Sequence, residues 1–171
     1  MTNIELKITL DSFDEIMTRL KKIGATEKGE LHQIDTYYNS KRGRLKIREI
    51  NKRYFELIYY ERADTSGSKQ SDYSVLKIKL EELETMKFIL KNSLGEKVRV
   101  EKKRFLWLYK NTRIHLDKVK KLGKFLELET VVKKITSKQA KNEHEEVIKL
   151  LNLSKYKKMS VSYSDLIFRS K

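Results

Sequence analysis

The stretch Arg44-Leu45-Lys46-Ile47-Arg48-Glu49-Ile50 sets three cations on one face and Leu45 and Ile47 on the other. Side chains alternate across a β-strand with a period of two, so this segment is a strand with a cationic face. Gly43 breaks the chain just before it. Asn3-Ile4-Glu5-Leu6-Lys7-Ile8-Thr9-Leu10 alternates in the same way, with Glu5 and Lys7 on the polar side. Further on, Arg113, His115 and Asp117 alternate with Ile114 and Leu116, and Glu127 and Glu129 with Leu126 and Leu128. Each strand therefore has one ionic and one oily face: Glu5 and Lys7 on one, three cations on another, and Asp117, Glu127 and Glu129 on the late strands. On a half-exposed sheet such faces are simply solvated, and each cluster taken alone fits that. If instead helices cover the oily faces from outside, the sheet curls and the charges point inward. There they are costly unless paired or bound to ions. Alternation alone leaves both arrangements open.

The intervening segments supply such helices. Phe13, Ile16, Met17, Leu20 and Ile23 recur at helical spacing after a cap at Asp11-Ser12. Leu83, Met86, Ile89 and Leu90 do so over residues 80–93, and Ala140, Val147, Ile148 and Leu151 over residues 137–152. Strands are expected near 29–40, 53–62, 72–79, 96–109 and 124–134 as well, making about eight strands and three or four helices. Thr65-Ser66-Gly67-Ser68-Lys69-Gln70-Ser71 reads as a loop between strands. The segment 160–169 has no decisive period.

Composition narrows the partner. Of 171 residues, 39 are Lys or Arg and 24 are Asp or Glu, a net charge of +15, so an anionic partner is expected. Nine tyrosines beside this charge fit RNA superficially. Much of the excess, however, falls on expected helix and tail surfaces such as Lys21-Lys22, Lys133-Lys134 and Lys157-Lys158. The sorted carboxylates would also repel a nucleic-acid backbone, which argues against nucleic acid. There is no cysteine, and His32, His115 and His144 are dispersed, so the carboxylates suit a hard ion, Mg²⁺ or Mn²⁺. The histidines read as packing or surface residues. No apolar run approaches the roughly 18 residues that span a bilayer, and the N-terminus carries no signal-like apolar stretch. No membrane association and a cytoplasmic location are expected. Proline is absent and only six glycines occur, so nothing marks a linker and residues 1–171 read as a single domain.

The same residues resemble the CYTH superfamily, the triphosphate tunnel metalloenzymes, which includes class IV adenylate cyclases and thiamine or inorganic triphosphatases. Asn3-Ile4-Glu5-Leu6-Lys7 is similar to the N-terminal E-x-E-x-K strand, with Asn in place of the first Glu. Gln33-Ile34-Asp35-Thr36-Tyr37-Tyr38 and Gly43-Arg44-Leu45-Lys46-Ile47-Arg48-Glu49 resemble the family's D-T-Y-F and G-R-L-K-L-R segments. Glu101-Lys102-Lys103-Arg104, Thr112-Arg113-Ile114-His115-Leu116-Asp117 and Gly123-Lys124-Phe125-Leu126-Glu127-Leu128-Glu129 follow in order. Ser162-Tyr163-Ser164-Asp165-Leu166 is similar to the closing S-Y-x-D-L. Tyr60-Glu61-Arg62-Ala63-Asp64 and Lys69-Gln70-Ser71-Asp72-Tyr73 look most like class IV adenylate cyclases.

The resemblance implies an α+β fold: an antiparallel, eight-stranded closed β-barrel, the triphosphate tunnel, with helices packed outside. It implies triphosphate contacts by Lys7, Arg44, Lys46, Arg48, Arg62, Lys102, Arg104 and Arg113. It implies metal ligation of Mg²⁺ or Mn²⁺ by Glu5, Asp117, Glu127 and Glu129, and catalytic roles for Glu5, Lys7, Asp117 and Glu127. In residues 96–109, Lys102 and Arg104 share a face with Val98 and Val100, whereas Lys103 shares one with Arg99 and Glu101. The resemblance selects Lys102 and Arg104. The implied substrate is a nucleoside triphosphate or another triphosphate. The implied reaction is conversion of ATP to cyclic AMP and pyrophosphate, with triphosphate hydrolysis or non-catalytic binding of nucleotide, polyphosphate or RNA as alternatives. The resemblance also allows a homodimer.

Overall fold

The computed structural model describes residues 2–62, 69–133 and 135–169. The elements are β1 (Thr2–Leu10), α1 (Asp14–Lys22), β2 (Thr26–Tyr38), β3 (Arg44–Ile50), β4 (Tyr54–Arg62), β5 (Lys69–Ile78) and α2 (Leu80–Leu94). They continue with β6 (Glu96–Tyr109), β7 (Thr112–Val119), β8 (Gly123–Val132), α3 (Ser137–Leu150) and α4 (Tyr163–Arg169), with a 3₁₀ turn at Leu153–Lys155. The cap of α1 differs from expectation. Phe13 occupies that position without a side-chain bond, while Ser12 Oγ accepts the Asp14 N–H at 3.2 Å. Of the expected loop at 65–71, residues 69–71 belong to β5, because they pair with β1, and residues 65–68 lie outside the described ones.

All strand pairs are antiparallel, and the order β1-β5-β4-β3-β2-β6-β7-β8 closes into a barrel. The seam between β1 and β5 is short, running from Thr2–Asp72 to Glu5–Lys69. Past Glu5, β1 overshoots the start of β5. Its edge is met there by the chain before α4, through Met159 N–H to Lys7 O at 2.8 Å and Thr9 N–H to Lys157 O at 3.3 Å. This stagger is how a closed barrel accommodates strand tilt. Gly43 makes the tight entry into β3. Its φ is +62°, and a Cβ there would stand 2.8 Å from the Tyr60 carbonyl oxygen and the Tyr59 ring.

The oily faces point outward and are covered. Leu6, Ile8 and Leu10 of β1, Ile114 and Leu116 of β7, and Leu126 and Leu128 of β8 pack under Ile16 and Leu20 of α1 and Val147 of α3. Across the barrel, Tyr38, Ile47, Phe55 and Ile78 pack under Leu83 of α2. A buried polar chain fixes α3. Glu143 accepts from the Asn111 N–H and the Thr112 hydroxyl, and Thr130 Oγ1 bonds both Thr112 Oγ1 and His144 Nδ1 at 2.9 Å. The fourth helix takes a different place. Tyr163 and Ile167 of α4 pack with Tyr37, Val98, Val100, Val119 and Phe125, which lie on the inward strand faces. Those residues sit at one end of their strands, so α4 closes that end of the barrel. The segment of undecided period is this helix.

Candidate active site

With the oily faces outside, strand alternation leaves the ionic side chains no direction but inward, and they meet in linked groups. Asp35 of β2 stands opposite Arg48 of β3 in the register. It accepts from Lys46 Nζ at 2.8 Å, Arg48 Nε at 2.8 Å and Arg48 Nη2 at 3.0 Å. Asp117 of β7, fully buried, accepts from Lys102 Nζ at 3.1 Å and from Arg104 Nε and Nη2 at 2.7 and 2.6 Å. Glu127 of β8 bridges Arg104 Nη2 and Lys7 Nζ, the latter at 3.0 Å. Glu129 pairs with Arg113 Nη2 at 2.8 Å.

These pairings fix the charge states. Burial alone would raise Asp35, but Arg48 and Lys46 outweigh it and hold the carboxyl well below its usual range. Burial opposes ionisation of Asp117 too, and Arg104 and Lys102 bring it to about 2. For Glu127, Lys7, Lys102 and Arg104 prevail over burial. Lys102 is pulled below its ordinary value by burial and by Arg104 beside it. Asp35, Asp117 and Glu127 are therefore ionised at neutral pH, each paired to cations.

Exposure grades along the tunnel. Lys102 is 4% exposed next to α4, whereas the Arg48 and Arg113 side chains reach 20% and 36%. The mouth therefore lies opposite α4.

Other expected site residues fall as follows. Glu5 stands directly across from Glu129 in the β1–β8 register, half-buried. Asn3 is buried, and its Nδ2 donates to Tyr73 Oη at 3.4 Å. Arg44 lies at the α4 end and bonds Asp165 Oδ2 at 3.0 Å. Arg62 ends β4, and its side chain lies outside the described residues.

His115, which the sequence suggested as a packing or surface residue, faces the tunnel one strand step from Arg113 and Asp117. It is 4% exposed, with Nδ1 3.5 Å from Glu129 Oε1 and no hydrogen bond in that direction. Burial, then Arg104, depresses its pKa to about 4, so it is neutral at pH 7 with a lone pair available. One donor atom each of His115, Glu127 and Glu129 lies within 4.8 Å of the others, a group able to hold a metal ion. The donor set of two ionised carboxylates and a neutral imidazole fits a divalent cation. Period two alone reveals His115, since it shares the face of Arg113 and Asp117.

The chain belongs to the CYTH domain family, whose model matches residues 1–163. The family's enzymes act on triphosphates and depend on metal ions. A Methanocaldococcus jannaschii protein named as a putative adenylate cyclase is 27% identical over 175 residues, covering 97% of this chain and 98% of that protein. The PH1012 protein from Pyrococcus horikoshii superposes with a TM-score of 0.81 at 20% identity, over 96% of this chain and 98% of that one. A Hippeastrum protein named as a putative adenylyl cyclase with a dominant triphosphatase activity gives a TM-score of 0.68 at 13% identity, over 98% and 95% of the two chains. These likenesses establish the fold. Among the described residues, no helix is long and apolar enough to cross a membrane.

Proposed function

We propose that the chain is a metal-dependent adenylate cyclase, converting ATP to cyclic AMP and pyrophosphate. One observation carries this reading. Glu127 pairs with Lys7, Glu129 and Glu5 stand one strand step nearer the mouth, and the Lys7 and Lys102 ammonium groups face Tyr163 of α4. A triphosphate entering terminal phosphate first would place its outer phosphates among Lys7, Lys46, Lys102 and Arg104. Its α-phosphate and ribose would remain beside the carboxylates.

In this reading His115, Glu127 and Glu129 hold Mg²⁺ or Mn²⁺, with Glu5 opposite Glu129. Bound there, the ion supplies Lewis acidity toward the α-phosphate and the ribose 3′-hydroxyl. The chain's own contribution is positioning and electrostatics. Arg104 and Arg48 present forked N–H groups to phosphate oxygens, and Lys46 and Lys102 present point charges. Asp35 and Asp117 hold these cations in place before substrate arrives, so little reorganisation is needed. As the 3′-oxygen bonds to the α-phosphorus and the bond to the β-phosphate oxygen breaks, the same cations take up the charge of departing pyrophosphate. The hydroxyl proton leaves to water at the mouth.

The second reading is a triphosphatase, with water attacking the terminal phosphorus in the same cradle. The activity described for the Hippeastrum relative supports it. Incubation with ATP and Mg²⁺ or Mn²⁺ separates the two. Cyclic AMP with pyrophosphate is expected, and ADP with orthophosphate would favour hydrolysis. Turnover of none of ATP, GTP, thiamine triphosphate and tripolyphosphate would reject both.

A further inference from the structure

The proposed reaction leaves one buried side chain at the closed end of the tunnel without a role. Tyr163, the first residue of α4, is 5% exposed. Its hydroxyl donates to Asp117 Oδ2 at 3.2 Å. Lys7 Nζ lies 3.8 Å from its ring centroid and Lys102 Nζ 5.0 Å, while the Phe125 ring packs against it at 4.9 Å. A single side chain from outside the sheet thus touches two tunnel lysines and the carboxylate that anchors Arg104.

Burial, then Glu127 and Asp117, holds the phenol well above its ordinary pKa, so it brings no charge to the site. Its ring offers the lysines a weakly negative face that does not compete with phosphate for net charge. Past the ring the wall is apolar, made of Val98, Val100, Val119 and Ile167. A charged phosphoryl oxygen pushed there would lose its hydration without compensation. Arg44, also at this end, is held by Asp165 of the same helix. Lys7 and Lys102, with Lys46 against the rings of Tyr37 and Tyr60, are therefore the ammonium groups toward the closed end that a phosphate chain would reach, and the Tyr163 ring is the surface behind the first two.

We infer that Tyr163 is a specificity-determining stop that sets the length of phosphate chain the tunnel takes, admitting a triphosphate and refusing a tetraphosphate. This rests on the triphosphate reading above. Shortening the side chain opens space beside Lys7 and Lys102 in which one more phosphoryl group finds cations already in place.

The test is calorimetric titration of the full chain, in metal-free buffer, with pyrophosphate, tripolyphosphate and tetrapolyphosphate. The wild type is expected to bind tripolyphosphate best. In Tyr163→Ala the ratio of tetrapolyphosphate to tripolyphosphate affinity should rise by about tenfold, a single step on the affinity scale. Tyr163→Phe keeps the ring and should keep the wild-type ratio. Should the alanine variant fail to fold, Tyr163→Leu preserves packing on Phe125 while shortening the reach, and its ratio should rise in the same direction. A destabilised but otherwise intact site would weaken all three ligands together and leave the ratio alone. An unchanged ratio in folded Ala or Leu variants overturns the inference while the triphosphate reading stands. Failure of the wild type to bind any of the three removes both.

Discussion

Arg104 grips Asp117 with two nitrogens, Nε to Oδ1 at 2.7 Å and Nη2 to Oδ2 at 2.6 Å, with both residues 5% exposed or less. Lys102 adds a third bond to the same carboxylate. A buried ion pair of this kind is worth little against a well-packed apolar replacement, but removing one partner strands the other. Asp117→Asn keeps the volume and deletes the charge. Its cost should be about 3–5 kcal/mol, read as a lowered urea midpoint at unchanged slope. A loss below about 1 kcal/mol would mean that water or a counter-ion already compensates Arg104.

Acidification should weaken the fold in two stages. His115 and His144 titrate near about 4 in the fold, against an ordinary 6.5, chiefly because burial disfavours their cations. The unfolded chain binds those protons first, so stability is intact above about 6.5 and declines as pH falls toward about 4. Asp117 and Glu129 are depressed to about 2, from ordinary values of 3.8 and 4.5. Their contribution is present above that ordinary range and disappears as pH falls through about 2. Urea midpoints from pH 8 to pH 2 should show both declines. His144→Gln should shrink only the upper one, since His144 belongs to α3, outside the tunnel.

Lys46 is expected to matter for anion binding more than for folding. Its ammonium is bonded to Asp35, but Arg48 holds the same carboxylate with two bonds. Lys46→Ala therefore leaves Asp35 paired. Losing one charge-assisted bond to phosphate should weaken tripolyphosphate binding by about 10- to 100-fold. Titration calorimetry reads this directly, and a change under threefold would place Lys46 outside the binding surface.

Metal affinity is predicted to follow the carboxylates of β8. Glu127→Gln removes one ionised donor from the group with His115 and Glu129. Mn²⁺ binding, followed by the loss of its free-ion electron paramagnetic resonance signal, should weaken at least tenfold. Chelation of the wild type should stop turnover, and added Mg²⁺ or Mn²⁺ should restore it. Equal Mn²⁺ affinity in both proteins would remove Glu127 from the ligand set.

Much of the fold was legible because each strand alternates strictly. Leu6 and Ile8 against Glu5 and Lys7, or Leu126 and Leu128 against Glu127 and Glu129, admit one assignment of faces once helices cover the oily side. Residues 96–109 were harder. Val98 and Val100 share a face with Lys102 and Arg104 because β6 runs from the apolar closed end into the ionic centre, so its inward face changes character midway. The segment 160–169 has no clean period because α4 is only seven residues long and buries Tyr163, Ser164 and Ile167 rather than a long stripe. The spacing of the three histidines gives no sign that His115 lies beside the carboxylates; the face it shares with Arg113 and Asp117 does. In the β7–β8 register His115 stands directly across from Glu127, one step from Glu129, and that pairing brings the three donors within reach of one ion.

The β1–β5 seam has a mechanical consequence. A ring opens where its links are fewest, and among the described residues this one is joined there by the run from Thr2–Asp72 to Glu5–Lys69. Breathing of the wall should concentrate at that joint, and backbone amides of Thr2 to Glu5 should exchange with deuterium ahead of those in β7. Since Glu5 lies on the joint, the loosest stave of the barrel is also the one that brings a carboxylate to the site.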